Sequence, residues 1–429
     1  MLLEEGIQST NFWHGNCINI IRNEMAKGEY LMTDTLEALS GFTEQMKKEM
    51  VQWRRHLHAN PELSFHEDKT SLFVYETLQS FGSLEITRPT KTSVMARLIG
   101  SCPGKTLAIR ADMDALPIQE ESSYDFISKN PGVMHACGHD GHTAILLTTA
   151  KILSGLKEQI NGEIRFIFQH AEEVPPGGAI QMVEAGVMDG VDMVIGLHLV
   201  STMEVGNLAI NSGTLHPALG NFDIKIMGKG GHGASPHETI DSLTIAAQVV
   251  TNLQQIVSRN IDPFETVALS ITKIHGGAFD GNAAYNVIPD TLELGGTVRG
   301  FNEELLDSIP ALMERIIKGI TVAHGAAYQF SYKKGYRPVI NDHQIAALVE
   351  ESLIEAFGAE AVHKAKPIMP GEDFSEYLQK APGAYFYIGA GNQAKGIVYP
   401  HHHPRFAIDE DALAIGVKAF LYAVFKLLG

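Results

Sequence analysis

Between Met134 and His142 the chain places one thiol, three imidazoles and one carboxylate, with Gly138 and Gly141 among them. Each of these side chains is polar, competes for hydrogen bonds and is costly to bury unsatisfied. A fold that gathers this stretch must give it something to bind, and a metal ion suits the donor types. The apolar residues from Thr143 to Leu156 then recur at helical spacing. The donor cluster is therefore expected at or before a helix N-terminus.

Upstream, Leu36, Leu39, Phe42, Met46, Met50, Trp53 and Leu57 predict a helix from Thr35 to Leu57, stopped by Asn60-Pro61. Ser93–Ile99 and Thr106–Arg110 read as short strands separated by a Pro-Gly turn, which predicts a hairpin. The second runs into Asp112 and Asp114, at the strand's carboxyl end, where ligands gather in open α/β sheets. Glu163–Gln169 reads as a buried strand delivering His170, Glu172 and Glu173. Gly177–Ala185 follows as a helix, and Asp192–Leu197 as a strand delivering His198. Several strand ends thus carry metal-capable residues, and convergence on one site is the economical explanation.

At Gly220 the pattern changes. Strands at Phe222–Met227, Thr266–Ile274, Tyr285–Gly300 and Ala327–Tyr332 alternate with helices at Ile240–Val257 and Leu305–Ile320. That order is β-α-β-β-α-β, the ferredoxin-like unit. A helix at Asp342–Phe357, a strand at Ala384–Ile388 and a final helix at Asp409–Leu428 resume the α/β pattern. The expected division is a catalytic part in two pieces, 32–213 and 335–429, interrupted by an inserted unit at 214–334. Residues 1–31 stand apart: Lys27-Gly28-Glu29 shortly before Met32 can be encoded by a purine-rich ribosome-binding sequence. Translation from Met32 in a bacterium is one expectation for this segment, and a loosely docked extension is the other.

A length of 429 residues suits two domains. A formal net charge of -17 argues against nucleic acid or an anionic membrane as partner, since both need clustered Lys and Arg. Three cysteines make no disulfide framework, and without a secretory signal or a membrane-length apolar run the expectation is a cytoplasmic protein.

Each motif has competing readings. Cys137 and His139 can coordinate one metal, or bridge two if the sulfur is shared. They can equally be a core cysteine beside a hydrogen-bonded histidine, or a thiol nucleophile activated by His139. Glu172 and Glu173 would face opposite sides of an extended segment, one toward metal and one toward substrate, although paired glutamates also mark solvated turns. His198 ends an apolar run, as satisfied core histidines do. Pro404 favours an extended His403, which would aim alternate members of His401-His402-His403 the same way; a surface run is the alternative. In the inserted unit His232, Asn286 and Arg299 form a polar set suited to an oxyanion or a carboxylate. Simple turns and a surface ion pair would also account for them.

In order along the chain, Arg54-Arg55-His56-Leu57-His58 with Pro61-Glu62, Arg110-Ala111-Asp112-Met113-Asp114-Ala115-Leu116-Pro117, His135-Ala136-Cys137-Gly138-His139-Asp140, His170-Ala171-Glu172-Glu173 and His402-His403-Pro404 form a specific conjunction. It resembles the bacterial metal-dependent amidohydrolases of the aminoacylase and carboxypeptidase family, which includes hippurate hydrolase and N-acyl-amino-acid amidohydrolases. The resemblance covers the chain from about Trp53 onward. It implies an α/β fold: a di-metal peptidase-like catalytic domain with a mixed sheet flanked by helices, interrupted by a ferredoxin-like lid and dimerisation domain. It also implies two divalent metal ions, manganese or zinc with cobalt or nickel as alternatives, held by Cys137, His139, Glu173, His198 and His402, with Cys137 bridging. Glu172 would be the general base, and His232 would reach the partner's active site in a homodimer. Arg299 and Asn286 would receive the substrate carboxylate. Asp112 stands where the wider family has a histidine, which leaves open whether it touches metal or orients a ligand. The implied reaction is hydrolysis of the amide of an N-acyl amino acid. A dipeptidase or exopeptidase of the same family and a catalytically silent metal-binding protein are the rivals.

Overall fold

The computed structural model describes residues 43–277 and 284–429. Residues 1–31 and the start of the first predicted helix lie outside them. The described part of that helix is α1 (Glu44–Ala59), capped by the Thr43 side chain accepting from the Met46 N–H; α2 (Asp68–Gln79) follows. Then come β1 (Glu85–Thr87), β2 (Val94–Ile99), β3 (Cys102–Asp112), α3 (His139–Gly155), β4 (Asn161–Gln169), α4 (Gly178–Glu184), β5 (Met193–Glu204), β6 (Leu208–Ile210) and β7 (Gly213–His216).

The next stretch holds β8 (Ala218–Met227), β9 (Gly231–His232), α5 (Ser242–Gln255), β10 (Val267–His275), β11 (Val287–Ile288), β12 (Thr291–Gly300), α6 (Glu303–Ala323) and β13 (Ala327–Lys334). The chain closes with β14 (Val339–Asn341), α7 (His343–Phe357), β15 (Val362–Lys364), α8 (Ser375–Leu378), β16 (Gly383–Gly391) and α9 (Asp411–Leu428). No helix among the described residues is long and apolar enough to cross a membrane.

Eight strands form one mixed sheet in the order β1-β2-β4-β3-β5-β16-β6-β15. Its central strands β4, β3, β5 and β16 are mutually parallel and bury both faces, as parallel sheets do. Leu107, Ile109, Phe166 and Ile195 point into a core shared with α1, α2, α3, α7 and α9, while Ala108, Ile167 and Val194 point into a second core beneath α4 and α8. Four parallel strands therefore run to one edge, and the loops leaving it, together with His198 inside β5, carry the candidate ligands.

The predicted hairpin between β2 and β3 does not form. β4 lies between them, antiparallel to β2 and parallel to β3. The connection straddles the start of β4 through Gly100 N–H to Gly162 C=O, 2.8 Å, and Ser101 N–H to Ile160 C=O, 3.1 Å. Gly162 is needed there: its φ is +88° and a Cβ would sit 2.0 Å from the Lys105 carbonyl oxygen.

The second sheet is fully antiparallel in the order β10-β12-β8-β13. With α5 and α6 on one face it has the ferredoxin-like topology and a core of its own, which includes Phe222, Ile224, Val249 and Met313. The strand expected from Tyr285 to Gly300 is broken at Pro289-Asp290 into β11, which pairs with β9, and β12, which pairs with β8 and β10. Proline cannot donate to a ladder, which explains the break.

Candidate metal centre

Gly138, with φ of +99°, ends the 134–138 turn and caps α3, so His139 is the first helical residue. Cys137 and His139 are both buried. His198 lies within β5 rather than at its end, two residues beyond Gly196, where pairing with β3 stops. Its Nε2 comes within 3.5 Å of Cys137 Sγ, and its Nδ1 donates to the Leu199 carbonyl, 2.8 Å. His139 Nδ1 donates likewise to the Asp114 carbonyl, 3.0 Å, with Asp114 Oδ1 at 3.2 Å. Both rings are thereby held in the tautomer that leaves Nε2 as a lone pair, as an oriented metal-binding imidazole requires.

The segment 170–173 is a turn rather than an extension of β4, with Ala171 at φ +49°. His402 also differs from expectation: its φ is +64°, so the triple histidine turns instead of running extended. As a result its members diverge. His401 Nε2 donates to the Leu199 carbonyl, 2.9 Å; His402 Nε2 lies 3.2 Å from Glu173 Oε1; His403 stacks on Tyr399 with ring centroids 4.4 Å apart.

Among the five groups of ligand-capable atoms in the described residues whose members lie within 4.8 Å of one another, two contain the thiol: Cys137 with His139 and His198, and Cys137 with Glu173 and His402. The sulfur belongs to both. His139 Nε2 and Glu173 Oε1 are buried without a hydrogen-bond partner. Burial, reinforced by Glu173, Glu172 and Asp112, pushes the Cys137 thiol well above its ordinary value. Burial opposes charge on His139, but Asp112, Asp114 and Glu173 outweigh it and lift the ring to about 10. Several carboxylates, a thiol and imidazole nitrogens thus meet in a strongly negative buried field, and divalent ions fit that donor set.

Asp112, which with His139 and His142 forms another group of ligand-capable atoms, already accepts a hydrogen bond at each oxygen. Its Oδ1 accepts from His142 Nδ1, 2.6 Å, and its Oδ2 from the Arg110 guanidinium, 2.7 Å. His142 Nε2 in turn accepts the Leu199 N–H, 2.9 Å, so His142 has no ring nitrogen left for a metal. Asp140 is held by Arg54 and His58, 2.7 and 2.9 Å. The wholly buried Arg110 also reaches Glu372, 3.0 Å, and Asp373, 2.9 Å, whose carboxylates approach Glu172. Removing one partner from such a buried ionic set costs about 3–5 kcal/mol. Glu172 is 6% exposed, and burial with Glu372, Glu173 and Asp373 nearby raises its pKa well above the ordinary carboxylate range.

The set His232, Asn286 and Arg299 is not formed within one chain. Asn286 Nδ2 donates to His232 Nε2, 3.1 Å, beyond the Met227 end of β8, and His232 is exposed. Arg299 pairs across the ladder with Leu219, near the other end of β8, and donates to the Met369 carbonyl, 2.5 Å. Eight residues of strand, roughly 25 Å, separate the two groups. Through Met369, Arg299 of β12 is tied to the loop that leads to Glu372, which puts it on the side of the ligand cluster. Sequence patterning also missed residues acting on the backbone of the 171–173 turn, among them Tyr336, whose hydroxyl donates to the Glu172 carbonyl, 2.5 Å.

Residues 108–426 match the model of peptidase family M20/M25/M40. An N-acyl-L-amino acid amidohydrolase from Geobacillus stearothermophilus is 62% identical over 307 residues, 72% of this chain and 82% of that protein. Thermostable carboxypeptidase 2 from Saccharolobus solfataricus is 41% identical, covering 92% and 99% of the two chains. Among solved structures, the Bacillus subtilis YXEP protein, a dinuclear metal binding peptidase from the M20 family, superposes with a TM-score of 0.77 at 34% identity over 90% of this chain and 99% of its own.

Proposed function

This chain belongs to peptidase family M20/M25/M40, and from that premise we infer that it is a metal-dependent amidohydrolase of N-acyl amino acids. It cleaves the amide of hippurate-like or N-acetylated substrates, releasing a carboxylic acid and a free amino acid. The observation that carries this reading is the Cys137 sulfur shared by two ligand triads, with Glu172 and Glu173 both beside His139. Cys137, His139, Glu173, His198 and His402 are assigned to two divalent ions, manganese or zinc. Ions held by these residues would supply Lewis acidity for activating a water and polarising the scissile carbonyl.

Glu172 takes a proton from the attacking water and returns it to the departing amine, a role worth roughly 10²- to 10⁴-fold. Arg299 receives the substrate carboxylate. Residues 32–213 and 335–429 form the catalytic part, and 214–334 the insert through which two copies pair in the cytoplasm. His232 with Asn286, remote from Arg299 in their own chain, serve the partner's site, where a single oxyanion donor contributes about 3 kcal/mol. Mixing Glu172→Gln with His232→Ala subunits is expected to restore part of the lost turnover. No recovery despite demonstrated subunit exchange would contradict the shared site.

The likeness to a carboxypeptidase favours dipeptide cleavage as a second reading. A panel of N-acetyl and N-benzoyl amino acids against free dipeptides separates the two. We expect kcat/KM to favour the acylated compounds by about tenfold or more; preference for dipeptides would replace the first reading with the second.

A further inference from the structure

The turn that presents Glu172 and Glu173 has its backbone polar groups engaged one after another. Ala171 N–H donates to Glu67 Oε1, 2.7 Å; Ala171 C=O accepts from Gly178 N–H, 2.9 Å; Glu173 N–H donates to Asp114 Oδ2, 3.0 Å. Glu67 comes from the loop before α2 and is 0% exposed. The same Oε1 accepts the N–H of Phe65, 3.0 Å, and the Phe65 ring meets His170 edge-on at 5.7 Å. Its neighbour Ser64 donates to Asp114 Oδ2, 2.7 Å, the oxygen that also holds Glu173. Residues 64–67 thus form a clasp over the turn.

The conformation they clasp is an unusual one. Phe65 at φ +67° and Ala171 at φ +49° are two of three non-glycine residues with positive φ among those described, and the third is His402. Side chains other than glycine rarely adopt that region without support from their surroundings. Both residues donate their N–H to one buried carboxylate oxygen. We propose that Glu67 is a positioning residue for the hydrolysis: it holds Ala171 left-handed, and that conformation aims Glu172 at the substrate and Glu173 at the ligand cluster. The assignment rests on the reading of Glu172 as the base. Glu67 touches neither substrate nor metal, and it acts through the backbone it fixes.

The test compares the manganese-loaded wild-type protein with Glu67→Leu, Glu67→Gln, Glu67→Leu/Ala171→Gly and Glu172→Gln on N-acetyl-L-methionine. Leucine keeps the buried volume but offers no acceptor, so kcat is expected to fall about 100-fold, the effect of a misplacement near 1 Å, with KM changed less than about threefold. Glutamine presents a carbonyl oxygen to the same two N–H groups and is expected to stay within about fivefold of wild type. Glycine at 171 adopts positive φ unaided, so the double variant is expected to regain about tenfold over Glu67→Leu. A folded Glu67→Leu with wild-type kcat, or a double variant no better than the single, overturns the assignment. Should Glu67→Leu fail to fold, Ala171→Val burdens the same left-handed residue while leaving Glu67 in place. It is expected to show the same loss, and wild-type kcat there overturns the proposal. An active Glu172→Gln sinks the reading of the base and this inference with it. An inactive Glu172→Gln beside a fully active Glu67→Leu sinks the inference alone.

Discussion

Glu172→Gln is expected to lower kcat by about 10²- to 10⁴-fold while the protein keeps its bound metal. Glutamine matches glutamate in size, so the buried space beside Glu372 and Asp373 stays filled. The amide cannot take a proton from water, and the turn that carries it is held through its backbone by Glu67, Tyr336 and Asp114. The ligands assigned to metal are other residues, so metal content measured by mass spectrometry stays at the wild-type value. Undiminished turnover with metal bound would remove Glu172 from its role.

Cys137→Ala is expected to be the most damaging change among the ligands, because its sulfur is the atom common to both triads. Losing an outer partner of a ligand already costs about 10- to 100-fold in metal affinity, and removing a shared donor should exceed that. The variant should purify with less than the wild-type metal content and with turnover near background. Treating the wild-type protein with a chelator should abolish turnover reversibly, with recovery on adding manganese or zinc. Alkylation-sensitive turnover that survives chelation would instead make Cys137 a nucleophile, and a full metal complement in Cys137→Ala would end its assignment as a bridge.

The parts of the architecture legible in the sequence were those with strong periodicity or with donors adjacent in the chain. α3 and the cluster before it follow from the apolar spacing after Thr143 and from Cys137 and His139 standing two residues apart. The β-α-β-β-α-β order likewise follows from alternating periodicities between 218 and 334. What escaped were relations set by distant segments. A Pro-Gly turn looks the same whether its two strands pair or straddle a third, so the insertion of β4 between β2 and β3 was not visible. Pro404 predicted an extended His403 and alternating histidines before it, but the fold turns His402 left-handed, with its N–H donating to the Ala136 carbonyl, 2.8 Å.

The separation within the insert's polar set was invisible for a related reason. Sequence order does not report that Arg299 and His232 lie near opposite ends of one strand. Asp112 shows what hydrogen bonds add to residue type: His142 and Arg110 each donate to one of its oxygens, a link between the ligand cluster and the buried Arg110 that no sequence pattern marks. Glu67 and Tyr336 were invisible because they act on backbone groups, and no side-chain pattern marks a carboxylate that accepts an N–H from a residue more than a hundred positions away.

The central claim is a two-metal centre organised on Cys137. Anomalous scattering from crystals of the manganese-loaded protein tests it most directly. Two peaks are expected within bonding distance of the Cys137 sulfur, one beside His139 and His198 and the other beside Glu173 and His402. A single peak, or none at that sulfur, would contradict the account.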